Sequence, residues 1–458
     1  MKQLMMLITV LLFSYTQLKA QQRYELTVKE AVELAFKNMT DVKNAQLDYR
    51  IQEAKNREIL GQALPQLTGN VGAQHYLELP KILFPQSDEG VYAVLRREGL
   101  IPSTTKAPPP AMSQISFQQP WNATAGATLQ QLLFQPDVFV GLQARQTALN
   151  LSKEQLEQVK ERVKDSAYKK YYAILISEKQ LFFLSEGVKR LQKLYYDDSV
   201  MFKNGFVERL DLDKVQVQLT NLQTTRNIVD NSVKLAYASL KFSLGLSQKD
   251  TVVLKDELSV DKIKEGILEA NFNYTDRAEY RVLENVKKLQ QLDLKRNKLG
   301  YLPTVAAQAN YTVNGMGQKF FTDKNTTWIR SSFIGLNINI PIFDGFQRKY
   351  KIQQSRFNIE KADNNLDYIR QVIDFEQYAL RETLTNSLLN LDAQQRNMEL
   401  AERVFNTTKI KFQEGLGSSF EVLQADADYQ TAQANYFSSL YNAIVAKISY
   451  QRSLGKLQ

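Results

Sequence analysis

Four stretches of the chain alternate apolar and polar side chains with the period of two that a half-buried strand requires. In the first, Leu67, Gly69, Val71, Ala73 and Leu77 alternate with Gln66, Thr68, Asn70, Gly72 and Gln74. In the second, Ala123, Ala125, Ala127 and Leu129 alternate with Asn122, Thr124, Thr128 and Gln130. Val305, Ala307, Ala309, Tyr311 and Val313 form the third with Thr304, Gln308, Asn310 and Thr312, and Ile334, Leu336, Ile338 and Ile340 the fourth with Asn337 and Asn339. Each runs about ten residues, near the ~9–11 that a tilted barrel strand needs to cross a bilayer. The strands pair as two hairpins. The first encloses residues 78–121, which hold 7 of the chain's 11 prolines and therefore predict a long irregular loop. The second encloses a short polar loop at 314–328.

Between the strands the period changes to that of long helices. From Leu212 the seam positions read Leu212, Val215, Leu219, Leu222, Arg226, Val229, Val233, Ala236 and Leu240, broken only by Arg226. A 3.5-residue spacing held over four heptads calls for supercoiled packing against neighbouring helices. Residues 143–183 would make a helix about 60 Å long at ~1.5 Å per residue. Hairpin turns are expected midway along each helical stretch, near 176–180 and 387–394. Upstream, Thr27-Val28-Lys29-Glu30 has the spacing of a capping box opening an amphipathic helix with Ala31, Leu34 and Ala35, and residues 280–300 take the same part before the third strand.

The plan is duplicated. Phe202-Lys203-Asn204-Gly205-Phe206 matches Phe412-Gln413-Glu414-Gly415-Leu416 at an offset of 210, and Ser243-Leu244-Gly245 matches Ser453-Leu454-Gly455 at the same offset. The seam recurs in phase as Val422, Ala425, Tyr429, Ala432, Tyr436, Ser439, Ala443, Ala446 and Tyr450. Leu64-Pro65 matches Leu302-Pro303 at an offset of 238, so the first half carries about 28 extra residues, most of them in the proline-rich segment. The expected organisation is a signal peptide at 1–20, a first repeat at 21–245, a linker at 246–270 and a second repeat at 271–458.

Residues 1–20 read as a secretory signal: Lys2, then a largely apolar run from Leu4 to Tyr15, then Ala20. No later stretch approaches the ~18 consecutive apolar residues of a transmembrane helix, so any span must be built from strands. Removing Lys2 and Lys19 lowers the net charge from +9 by 2 to +7, spread along the chain without the basic stripe that nucleic acid requires. The absence of cysteine excludes disulfides, thiolate catalysis and cysteine metal sites. His75, the only histidine, lies in a strand segment without the local partners of a catalytic triad. No phosphate loop or spaced metal-ligand cluster appears, so no cofactor or metal is expected. Asp211 with Asp213, and Asp426 with Asp428, stand two apart on helices and read as solvated surface. Gly205 and Gly415 read as helix interruptions.

The order of these pieces resembles the TolC-like outer-membrane efflux protein family. The likeness rests on Leu26-Thr27 with Glu30-Ala31 and Asn38, on Ala63-Leu64-Pro65, on Pro341-Ile342-Phe343-Asp344-Gly345, and on the duplicated Gly-x-x-x-x-acidic-[Leu/Val] motif beginning at Gly205 and Gly415. The resemblance implies a mainly α fold with a small β part. Long helical hairpins would form a periplasmic α-barrel, and four strands per chain would join a 12-stranded outer-membrane β-barrel shared by a homotrimer. It further implies a passive exit duct served by a periplasmic adaptor and an inner-membrane pump, with a periplasmic entrance held shut by charged pairs near the helical tips.

Glu178, Arg381, Glu382 and Asp392 flank the expected turns and are the candidates for that entrance. Threefold repetition would set them in rings, and rings of carboxylate favour cations. Two other classes compete. An exported coiled-coil scaffold has no use for four lipid-length amphipathic strands, and a secreted enzyme would need a catalytic constellation.

Overall fold

The computed structural model of the chain describes residues 22–258, 272–319, 324 and 326–457. The expected signal segment lies outside the described residues, as do residues 259–270 of the expected linker and residues 320–323 and 325 of the short loop. The chain divides into two compact units, one made of Met1–Ala54, Arg145–Gln291 and Arg356–Gln458, the other of Lys55–Ala144 and Leu292–Ser355.

The first unit is built on helices. After β1 (Arg23–Leu26), Thr27 caps α1 (Val28–Asn38), and the reciprocal box is formed: the Glu30 amide donates to Thr27 Oγ1, and the Thr27 amide donates to Glu30 Oε2 at 2.7 Å. α2 (Thr40–Gln62) follows. Two very long helices, α4 (Pro136–Lys203) and α7 (Gln347–Gln413), are each followed by a 35-residue helix, α5 (Arg209–Ser243) and α8 (Ser419–Ser453). α6 (Ala278–Leu299) opens the second half. Leu212, Val215, Leu219, Leu222, Val233 and Leu240 of the predicted seam are buried, and so are Val422, Ala425, Tyr429 and Ala432 of its copy.

The turns expected near 176–180 and 387–394 do not exist, because α4 and α7 pass straight through them. Neither stretch contains glycine or proline, and Leu384 and Leu391, a heptad apart, stay fully packed across the second. The chain reverses instead at residues 204–208 and 414–418. There Gly205 and Gly415 take φ of 82° and 73°, and each helix end is closed by the same pair of bonds. The Gly205 and Gly415 amides donate to the Phe202 and Phe412 carbonyls, and the Phe206 and Leu416 amides to the Met201 and Lys411 carbonyls.

The repeat extends to atomic contacts. Gly245 (φ 63°) ends α5 against Asn38, and Gly455 (φ 67°) ends α8 against Asp276. Asn38 and Asp276 are themselves separated by 238, the upstream offset of the duplication. Part of the expected linker is structured: β6 (Thr251–Leu254) pairs in parallel with β1, Arg23 facing Thr251 and Leu26 facing Leu254. The pair lies on a core of Ala31, Ala35, Tyr171, Ile174, Leu240 and Leu244, with the Tyr171 hydroxyl donating to the Leu26 carbonyl at 2.8 Å. Four residues of alternation are too few to distinguish from a linker by pattern alone.

The second unit carries an antiparallel sheet in the order β2 (Gln66–His75), β5 (Trp121–Phe134), β7 (Thr304–Gly317), β8 (Thr327–Asn339). The strands run 10, 14, 14 and 13 residues, so three of the four are longer than the alternation alone marks out. Pro65 and Pro303 stand just before β2 and β7, where a missing amide costs no ladder bond.

Residues 78–121 are not an irregular loop. They contain β3 (Ile82–Gln86) and β4 (Ala111–Ile115), paired antiparallel, with the helix α3 (Glu89–Arg97) between them, and they end on the first residue of β5. Their prolines fall where they do little harm. Pro80, Pro102, Pro108, Pro109, Pro110 and Pro120 lie outside these elements. Pro85 sits in a two-stranded ribbon whose strands each keep an open edge.

Candidate functional site

In an antiparallel sheet, directly opposed residues share a face, so the registers sort every side chain of the four strands. One face carries, row by row, Leu67–Leu129–Ala309–Ile334, then Gly69–Ala127–Tyr311–Ser332, then Val71–Ala125–Val313–Arg330. The opposite face carries Gln66–Gln130–Gln308–Gly335, Thr68–Thr128–Asn310–Phe333 and Gly72–Thr124–Asn314–Ile329. Across β2, β5 and β7 one side is thus apolar and the other amide and hydroxyl, whereas β8 is mixed, placing Phe333 and Ile329 on the polar side and Ser332 and Arg330 on the apolar one. Hydrogen bonds tie the polar side across strands: Thr124 Oγ1 donates to Asn314 Oδ1 at 3.0 Å and Asn310 Nδ2 to Thr128 Oγ1 at 2.9 Å. Among the residues of these strands Arg330 alone carries a formal charge, and it is on the apolar side.

Among the described residues nothing covers the apolar side, with Val71 90% and Ile334 89% exposed. Its loop end carries tryptophan: Trp121 stacks on His75 at 4.2 Å, and the Trp328 ring lies over Gly315, where a Cβ would meet it at 2.9 Å. His75 Nδ1 lies 3.1 Å from the Pro120 carbonyl, which ties the histidine to the end of the sheet. At the other end of β8, Ile342, Phe343 and Phe346 are exposed, the two phenyl rings edge to face at 5.5 Å. Apolar bodies with aromatic residues at both limits match a band that meets lipid. The outer strands β2 and β8 each have one unpaired edge.

The helical unit contributes a second surface at its two turns. Phe206 and Leu416, equivalent in the repeat, are 82% and 81% exposed, and Leu210 and Phe420 repeat the arrangement one turn later. The turns adjoin each other, since Lys214 Nζ lies 4.9 Å from the centre of the Phe420 ring. Behind them the packing is polar as well as apolar. Arg190 sits against the rings of Phe405 and Tyr429 at 5.3 and 5.5 Å and donates from Nε to Asp426 Oδ1 at 2.9 Å. Burial raises the Asp426 carboxyl above the usual range, and Arg190 opposes the shift. Asp198 is fully buried and neither of its oxygens accepts a well-formed hydrogen bond. Burial pushes its carboxyl up as well, with the nearby Ser419 hydroxyl acting against that shift and Asp211 and Asp197 reinforcing it.

Asp426 is therefore a buried ion-pair member, not the solvated residue its spacing from Asp428 suggests; the arginine that holds it is 236 residues away in sequence. Asp211 and Asp213 do pair locally, with Lys214 and Arg209. Glu178, Arg381, Glu382 and Asp392 are not brought to a turn. All four lie inside α4 or α7, between roughly 30 and 50 Å of helix from either reversal at ~1.5 Å per residue. Glu178 accepts a hydrogen bond from the Tyr237 hydroxyl at 2.7 Å. Phe206 and Leu416 both stand in the repeated motif, yet neither is among the residues singled out from the sequence. A large apolar residue beside a turn glycine was the available signal.

Residues 287–456 match the family model described as outer membrane efflux protein. Over 339 residues the chain is 18% identical to the outer membrane protein TolC of Vibrio cholerae serotype O1, covering 73% of this chain and 77% of that protein. It is 19% identical over 350 residues to TolC of Salmonella enteritidis, with 73% and 69% covered. Among solved structures, CusC superposes with a TM-score of 0.72 at 15% identity, over 94% of this chain and 92% of CusC. The CmeC outer membrane channel of Campylobacter jejuni gives 0.70 at 15% identity, over 94% and 86%.

Proposed function

Starting from the chain's place among the TolC-like outer-membrane efflux proteins, we propose that three copies close one barrel and act as a passive exit duct for a pump in the inner membrane. The observation that carries the reading is the four-stranded sheet, apolar on one side and polar and hydrogen-bonded on the other across β2, β5 and β7, with an open edge on each flank. Lipid tolerates no unpaired strand edge. Closing four strands on themselves is too tight for a wet lumen, since even eight-stranded barrels have interiors filled by side chains. The two edges, β2 and β8, are different surfaces, so copies join head to tail and the ring closes on itself. Three copies give twelve strands, an even number that keeps every junction antiparallel. The side of amides and hydroxyls, on which β8 also sets Phe333 and Ile329, then lines water. With no formal charge on it, that part of the duct discriminates little between cations and anions.

The protein is a channel component of the outer membrane, not an enzyme, with its long helices on the periplasmic side. The exposed apolar residues at the helical turns, Phe206, Leu210, Leu416 and Phe420, suit the packing of a periplasmic adaptor's helices, and we assign that contact to them. The entrance belongs at these turns. Glu178, Arg381, Glu382 and Asp392, as charges along the helices, would line or flank the duct further in. The test is direct. Detergent-solubilised protein from outer membranes should weigh three protomers by light scattering and give discrete conductance steps in planar bilayers. A monomer recovered from the soluble periplasmic fraction would end the reading.

A further inference from the structure

The segment between β2 and β5 has an apolar surface that none of the described residues covers. α3 has no buried residue, and Leu83, Phe84, Val91, Val94, Leu100 and Phe117 are between 48% and 71% exposed. A lone two-stranded ribbon and a nine-residue helix are each marginal by themselves, so this subdomain needs a surface to lie against. Both of its ends are fixed to the sheet. The Tyr76 amide donates to the Pro120 carbonyl at 2.8 Å, and His75 stacks on Trp121. It is thus mounted at the end of β2, the strand whose free edge must receive another copy.

We propose that the occupant of this apolar surface is the same segment in the neighbouring copies, so that three of them pack together outside the membrane and brace the junctions that the β2 edges make. The inference rests on the ring of copies proposed above. Charge supports like meeting like: residues 78–120 hold Glu78, Asp88, Glu89 and Glu98 against Lys81, Arg96, Arg97 and Lys106, four of each sign. Identical copies therefore meet without net repulsion, and the segment has no excess of positive charge to prefer an anionic lipid surface. Glu89 and Arg96 are already paired within α3, which leaves Val91 and Val94 as its contact side.

A photoreactive phenylalanine analogue at Phe84, and separately at Leu100, should on irradiation of outer membranes yield covalent dimers of the chain. Adducts to lipid A, to a different protein, or to nothing would overturn the proposal. As a second measure, Val91→Ser, Val94→Ser and Leu100→Ser combined should lower the temperature at which the purified trimer dissociates. An unchanged temperature would count equally against it. Light scattering on the same preparations separates the two ideas, since a trimer without chain-to-chain adducts sinks only this contact, whereas a monomer sinks the ring itself.

Discussion

Replacing Gly245 with alanine should damage the protein far more than the same change at Gly205, although both glycines end a helix with positive φ. At Gly205, φ is 82° and an added Cβ meets nothing within 4 Å. The cost there is the left-handed conformation alone, ~1–2 kcal/mol for an L-residue, reduced by the ~0.4–1 kcal/mol that alanine gains by restricting the unfolded chain. At Gly245 the same conformational cost applies, and the new Cβ would lie 2.7 Å from Asn38 Cβ, 3.0 Å from its carbonyl carbon and 3.1 Å from its oxygen. Two of those three atoms are backbone, so α1 and α5 must move apart, adding about 1–3 kcal/mol as in other overpacked sites. Gly205→Ala should therefore cost about 1 kcal/mol and Gly245→Ala roughly 2–4. Melting of the purified protein followed by far-ultraviolet circular dichroism would give the order. Asn38→Gly, which removes one of the three clashing atoms, should recover part of the loss in the double variant and none in a Gly205→Ala background. Equal melting for the two alanine variants, or no recovery, would show that the α1–α5 contact does not constrain the fold as argued.

Other outcomes follow from the helical turns and the sheet. Arg190→Ala strands the Asp426 carboxylate in a buried site and should cost about 3–5 kcal/mol, with Arg190→Ala/Asp426→Leu much closer to the parent in thermal melting. Because burial raises the Asp198 carboxyl, the folded chain holds its proton more tightly than the unfolded chain does, so acidification from neutral pH down to the ordinary carboxylate range should add stability. Asp198→Asn should be more stable at neutral pH and should lose this slope in melts taken across that interval; a steeper slope would contradict the assignment. Phe206→Ser with Leu416→Ser should leave trimer assembly and conductance intact while abolishing adaptor co-purification, and retained co-purification would move the docking surface elsewhere. Protease added to intact cells should cut within residues 98–110 and spare the long helices, whereas cutting only after the periplasm is opened would invert the sheet's orientation.

The elements that were legible in the sequence are those whose period repeats long enough to be distinctive. The seam from Leu212 to Leu240 and its copy predicted buried positions because four heptads leave little ambiguity, and the strand alternation located the four paired strands because β2, β5 and β7 each have one apolar face and β8 keeps one from Ile334 to Ile338. The turns were misplaced for a physical reason: in helices of 68 and 67 residues the midpoint carries no mark, whereas the end carries a glycine able to adopt positive φ. Gly205 and Gly415 were visible and correctly read as interruptions, yet the distance between a helix end and an assumed midpoint was not constrained by any local signal. The structure within 78–121 was hidden because proline frequency was weighed without regard to where each proline falls. Asp426 could not have been paired with Arg190, since a contact between α4 and α8 leaves no periodic trace in either helix.

The unlike edges of the sheet bear on genetics as well as on structure. In a ring of three joined head to tail, a pair of copies still has one free edge at each end and is no better protected from lipid than a single copy. Assembly of such a ring would be all or none, and a copy whose β2 edge cannot pair would spoil every ring it enters. Co-expressed in equal amount with the intact chain, such a copy would leave only about one ring in eight free of it by random mixing. A proline placed in β2 at an amide that must bond to the neighbour should consequently behave as a dominant allele, disabling export in cells that still make a full complement of normal protein.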